Sequence, residues 1–92
     1  MQITIHYFAQ LRRAAGVARE TVAIEADWTV TRLLKHLAEC HGNGFRGLLL
    51  DASGQPQRTL LFAIGDEQAD LHQKLPDGAD VTILTPMSGG SR

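Results

Sequence analysis

The chain has one cysteine, Cys40, among its 92 residues, which rules out an internal disulfide and any cysteine-clustered zinc or iron–sulfur centre. Neither sign of charge dominates. A formal net charge of -1 leaves no basic footprint for nucleic acid or for an anionic membrane. No apolar run approaches the length needed to span a bilayer. Met1 leads directly into strand-like alternation, without a basic segment and an apolar stretch behind it, so a cytoplasmic protein is expected. What remains is ordinary: 43% hydrophobic and 21% charged residues describe one small globular domain with a modest core.

Period-2 alternation predicts a strand over 2–8, with Ile3, Ile5 and Tyr7 on one face. Residues 9–15 suit one or two helical turns that Gly16 ends. A second alternating run over 21–26 turns Val22 and Ile24 inward, and the intervening loop suits an antiparallel return. Thr29 is the expected N-cap of the main helix, with Thr31 the second choice. Val30, Leu33, Leu34, Leu37 and His41 then make one stripe at helical spacing, and Gly42 ends it. Leu48, Leu49 and Leu50 read as a short strand, followed by a turn from Asp51 to Gly54. A further strand is expected over 59–64, with Phe62 and Ile64 on one face. After Gly65, Asp66 and Glu67 turn the chain, it is expected to stay irregular up to Lys74. Pro76, Asp77 and Gly78 form a strong turn signal ahead of a last strand over 79–85. The order β, β, α, β, β, β predicts an α+β domain with one helix on one face of a sheet.

Several constellations carry less than they promise. Gly42, Gly44 and Gly47 satisfy G-x-G-x-x-G, but a dinucleotide site needs that pattern between a strand and a following helix. Here it follows the helix and reads as a loop. His36 and Cys40 have the i, i+4 spacing of metal ligands, yet zinc requires three or four donors, so no metal is expected. Cys40 reads instead as a small apolar residue at the helix edge. Ser53, Ser88 and Ser91 lack a local base, and Asp66, Glu67 and Asp70 read as solvated loop carboxylates. No self-contained catalytic site is legible, so any chemistry must use a chain end or a partner.

The C-terminal stretch is unlike the rest. The alternating run from Ala79 reads as a half-buried strand, Pro86 stops sheet pairing, and Met87, Ser88, Gly89 and Gly90 follow as a thin thread. Those four residues reach roughly 13 Å when extended, and glycine passes through a channel where a Cβ would clash. A frayed terminus is the plain alternative. The expected division is therefore a domain over 1–86 and a flexible tail over 87–92.

The sequence from Val81 through Pro86 and Met87 to Gly90 resembles the ending of ThiS/MoaD-type sulfur carriers, prokaryotic relatives of ubiquitin. The opening from Ile3 to Gly16 is similar to a MoaD-like start, and Thr29–Leu34 and Leu75–Val81 also fit. The resemblance spans nearly the whole chain and implies a ubiquitin-like β-grasp: a mixed sheet of about five strands, the first and last parallel at its centre. It implies no catalysis by the chain itself and no bound cofactor. A ubiquitin-activating-type adenylating enzyme would use ATP to place AMP on the carboxylate of Gly90. Sulfur would displace the AMP, and a sulfur-accepting biosynthetic enzyme would take the resulting thiocarboxylate sulfur. The expected partner-binding residues are Phe8, Leu84 and Pro86, because Leu84 points to the open face of the sheet if Ile83 points to the helix.

One departure matters: family members usually end at the second glycine, whereas Ser91 and Arg92 follow it here. With them in place Gly90 is an internal amide. Either a metal-dependent deubiquitinase-like peptidase removes the dipeptide, or the protein is not a carrier. A protein modifier that forms isopeptide bonds and a non-catalytic binding module are the other two classes this sequence admits.

Overall fold

In the computed structural model, which describes residues 1–85, eight elements follow one another along the chain. They are β1 (Gln2–Tyr7), α1 (Ala9–Ala15), β2 (Arg19–Ala23), α2 (Val30–His41), α3 (Asn43–Leu49), β3 (Leu61–Ile64), β4 (Glu67–Ala69) and β5 (Asp80–Leu84). The strands form one mixed sheet in the order β2-β1-β5-β3-β4. β1 and β5 lie parallel, with Thr4 beside Asp80 and Tyr7 beside Ile83, while the other neighbours are antiparallel. This is the expected β-grasp, with the first and last strands in the middle.

The helix begins where its capping chemistry says it should. Thr29 has extended backbone and its side chain accepts from the Arg32 amide at 3.3 Å, leaving Thr31 free to donate its hydroxyl to the Leu71 carbonyl at 2.9 Å. Gly42 follows the last turn at φ 85°, a left-handed value that glycine adopts without a Cβ penalty. Val30, Leu33, Leu34 and Leu37 are fully buried against Ile3, Ile5, Val22, Ile24, Phe62, Val81 and Ile83 in one cluster, with Ile64 packed at its margin. Removing these aliphatic side chains from water is the main stabilising term. The turn at 76–78 is tied back to the first strand: Asp77 accepts from the Gln2 amide at 2.9 Å, and the Gly78 amide donates to the Gln2 carbonyl at 2.7 Å.

Three expectations need correction. The glycine-rich segment is not a loop, and Leu48–Leu50 is not a strand: Asn43–Leu49 is a helix, and Leu50 makes only an isolated bridge to Pro56. Phe45 and Leu49, four apart, share its buried face, a helical spacing that Gly44 and Gly47 obscure. The stretch after Ile64 is not wholly irregular. β4 returns antiparallel to β3 through the two residues Gly65 and Asp66, pairing Ile64 with Glu67. Gly65 takes φ 62°, and Gly-Asp between paired residues is a recognised hairpin signal. The helical layer therefore has α3 beside α2, and the sheet gains its fifth strand from 67–69 rather than from 48–50. Smaller shifts fall at the strand ends: β1 stops at Tyr7, β2 covers Arg19–Ala23, and β3 starts at Leu61.

Candidate functional site

Because β1 and β5 are parallel and both central, they finish at the same edge of the sheet. Phe8, the N-cap residue of α1, and Leu84, the last residue of β5, both follow directly on the Tyr7–Ile83 pair. Thr85 is the last described residue. Pro86, Met87, Ser88, Gly89, Gly90, Ser91 and Arg92, on which most of the expected chemistry falls, lie outside the described residues.

Around that edge the open face of the sheet is apolar. β5 turns Val81 and Ile83 to the core and therefore shows Thr82 and Leu84 to the other side. Leu84 lies opposite Leu61 in the antiparallel β3–β5 pair, and the two are 39% and 52% exposed. With Phe62, Ala63 and Gln68 they line a shallow depression of about 210 Å³. Phe8 is exposed at the same end of the sheet but is not part of that lining. Leu61 was not among the expected contact residues. Its signal was present, since placing Phe62 and Ile64 inward puts Leu61 and Ala63 outward.

Away from Leu84 the same face turns polar. His6, near the end of β1, and Asp80, at the start of β5, meet at 3.0 Å across the parallel pair, the first half-buried and the second exposed. A surface contact of this kind contributes little stability. It marks the polar margin of the apolar patch.

Elsewhere among the described residues no catalytic arrangement is assembled. Ser53 sits in a turn organised by Asp51, whose Oδ1 accepts from the Ser53 amide and hydroxyl and from the Gln55 amide. These bonds, that from Gln55 foremost, hold the Asp51 carboxyl below the usual carboxylate range. They order a loop; no base faces the serine. Asp66, Glu67 and Asp70 are exposed, though Glu67 belongs to β4 rather than to a loop. His36 Nε2 and Cys40 Sγ are 3.6 Å apart, and among the described residues no third ligand joins them or any other pair of donors. Cys40 is exposed, not packed at the helix edge as expected, because its position in α2 lies off the buried stripe. Among the described residues no helix is long and apolar enough to cross a membrane.

The architecture defines a ubiquitin-like β-grasp protein whose last strand ends beside an apolar sheet face. Comparison with known proteins agrees and is more specific. Residues 5–90 match the ThiS family, and the chain belongs to that family of small sulfur carriers of the ThiS/MoaD type, which act with partner enzymes and are not catalysts themselves. It is 32% identical over 92 residues to a molybdopterin synthase sulfur carrier subunit from Chlamydomonas reinhardtii, covering 98% of this chain and 100% of that one. Among solved structures it is similar to SAMP1 from Haloferax volcanii, with a TM-score of 0.88 at 23% identity over 98% of this chain and 100% of the other. It is also similar to a chain of the BexX/CysO complex of Amycolatopsis orientalis, with a TM-score of 0.67 at 22% identity over 96% and 99%.

Proposed function

We propose that this carrier delivers sulfur as a thiocarboxylate at Gly90, formed after Ser91 and Arg92 are removed. The observation that supports it most is the placement of β5: the strand that leads to Gly90 lies at the sheet centre, between β1 and β3, and ends beside the Leu61–Leu84 patch. A folded domain docked through that patch can present a short C-terminal segment to a partner's active site.

The chemistry follows from the end group. A free carboxylate is unreactive towards nucleophiles because its charge is delocalised and oxide is a poor leaving group. Attack of the Gly90 carboxylate on the α-phosphate of ATP expels pyrophosphate and leaves a mixed anhydride with AMP. Hydrosulfide supplied by the partner system attacks the carbonyl carbon, the bond to AMP breaks with AMP as the leaving group, and the thiocarboxylate remains. ATP is bound by the adenylating partner, of the ubiquitin-activating type, and the chain itself holds no cofactor. A sulfur-accepting enzyme in cofactor, amino-acid or metabolite biosynthesis takes the product.

Ser91–Arg92 sets the order of events. An internal amide at Gly90 has no carboxylate to adenylate, so hydrolysis of the Gly90–Ser91 bond comes first, by a metal-dependent deubiquitinase-like peptidase. A second reading is favoured by the likeness to SAMP1, whose relatives are named small archaeal modifier proteins. The same adenylate could be captured by a lysine amine to give an isopeptide conjugate.

One experiment separates these readings. The chain ending at Gly90 is incubated with ATP, a ThiS/MoaD-type adenylating enzyme and a sulfide source, then weighed intact. Replacement of one oxygen by sulfur supports the carrier mechanism. Conjugates on other proteins, without that shift, favour the modifier. Modification of the full-length chain with Ser91–Arg92 still attached contradicts the mechanism.

A further inference from the structure

His36 and Cys40 stand one turn apart on α2, at positions off its buried stripe. Their polar atoms approach each other: Nε2 of His36 lies 3.6 Å from Sγ of Cys40. That separation has a specific meaning for a metal. A tetrahedral zinc ion with sulfur at about 2.3 Å and nitrogen at about 2.0–2.1 Å holds those two donors about 3.5–3.6 Å apart. The imidazole and the thiol therefore already span one edge of the tetrahedron, and only small rotations of two side chains would aim both at one ion. The His36 ring is half-buried and packs edge-on against Trp28 at 5.3 Å, which restricts the directions its Nε2 can take. A donor oriented in advance gives up less freedom when it binds.

Within one chain the pair falls short, because among the described residues no third donor joins it. Two chains make up the number. A two-fold axis sets one surface patch against its own copy, so two α2 flanks bring together two imidazoles and two thiolates. That is the Cys2His2 set of a closed, four-coordinate zinc site. The surroundings leave room for the second copy. Residues 42–44, just beyond Cys40 and His41, are exposed, and a Cβ built on Gly42 or Gly44 meets nothing within 4 Å. The nearby guanidinium of Arg32 is engaged 4.9 Å from the centre of the Trp28 ring. A net charge of -1 per chain sets up little repulsion between copies.

We infer that His36 and Cys40 are half of a zinc site that closes between two copies of this chain, joined through their α2 helices. Each thiol gives up its proton to solvent as the ion binds, and nothing is oxidised or reduced. α2 covers one face of the sheet while Leu61 and Leu84 lie on the other, so the zinc-linked pair leaves both apolar faces open to partners. The site does not depend on the chemistry proposed at Gly90.

Zinc chloride added to the full chain, kept reduced with a phosphine, tests this by calorimetry and sedimentation. One ion should bind per two chains, and the 10.0 kDa species should double in mass. Cobalt(II) in place of zinc should give the intense visible bands of a tetrahedral ion and a thiolate charge-transfer band in the near ultraviolet. Cys40→Ser and His36→Gln should each weaken zinc binding by about tenfold or more and leave the chain monomeric, with an unchanged circular dichroism spectrum. His72→Gln, at an exposed histidine remote in sequence from the pair, should bind as the wild type does. The inference is overturned if zinc leaves the chain monomeric, if one ion binds per chain, if the cobalt spectrum lacks the thiolate band, or if Cys40→Ser keeps wild-type affinity.

Discussion

Leu84, the last residue of β5, sits directly across from Leu61 of β3, and both side chains stand in solvent on the face opposite the helices. Two exposed leucines paired at the end of a central strand are costly to leave in water, and a partner's apolar surface would cover them at a gain. Leu84→Asp places a charge there without touching the core. The fold should survive, with an unchanged circular dichroism spectrum, while affinity for the adenylating enzyme falls at least tenfold by calorimetry. Leu61→Asp should do the same. Wild-type affinity in both would remove this face from the proposed interface.

Gly90→Ala, made in the chain that ends at residue 90, isolates the role of the missing Cβ. If the end of the chain threads a narrow channel, the methyl group obstructs it, and adenylation should slow markedly although the carboxylate is intact. Pyrophosphate release measured against the Gly90 chain reads this directly. Equal rates would mean that the channel is wide and that glycine serves another purpose.

The core prediction rests on Leu37, fully buried in the middle of the α2 stripe. Leu37→Ala should lower stability by about 2–5 kcal/mol, the range for a buried leucine whose cavity cannot fully collapse. Urea denaturation with an unchanged slope is the measurement. A loss below about 1 kcal/mol would show that the helix packs less tightly on the sheet than its burial implies.

Tyr7 is the only tyrosine, so its ionisation can be followed by absorbance alone. Its pKa is raised in the folded protein, by burial first and then by Glu20. The stability linked to this buried phenol is therefore complete below the unfolded value of about 10 and declines as pH climbs above it, because only the unfolded chain readily releases the proton. The phenolate band should appear together with unfolding rather than before it. A normal titration in the folded state would mean that the hydroxyl reaches water.

The sequence by itself determined the elements whose signals are local and periodic. Ile3, Ile5 and Tyr7 alternate, Val30, Leu33, Leu34 and Leu37 recur at helical spacing, and Thr29 caps the helix with its own side chain. The ending from Val81 to Gly90 also pointed to the right family. What it concealed were elements whose identity depends on neighbours. Asn43–Leu49 carries two glycines and has weak helical propensity, and it holds as a helix because Phe45 and Leu49 find the core beside α2. β4 is three residues long and is a strand only because β3 offers it a ladder of hydrogen bonds. The same distinction governs the surface. Outward-facing Leu84 could be read from alternation alone, but its pairing with Leu61 required the register between β3 and β5. The meeting of Glu20 with the Tyr7 hydroxyl and the His41 ring required β1, β2 and α2 to be packed together. Periodicity is a property of one segment, whereas contact between segments distant along the chain exists only once the whole has folded.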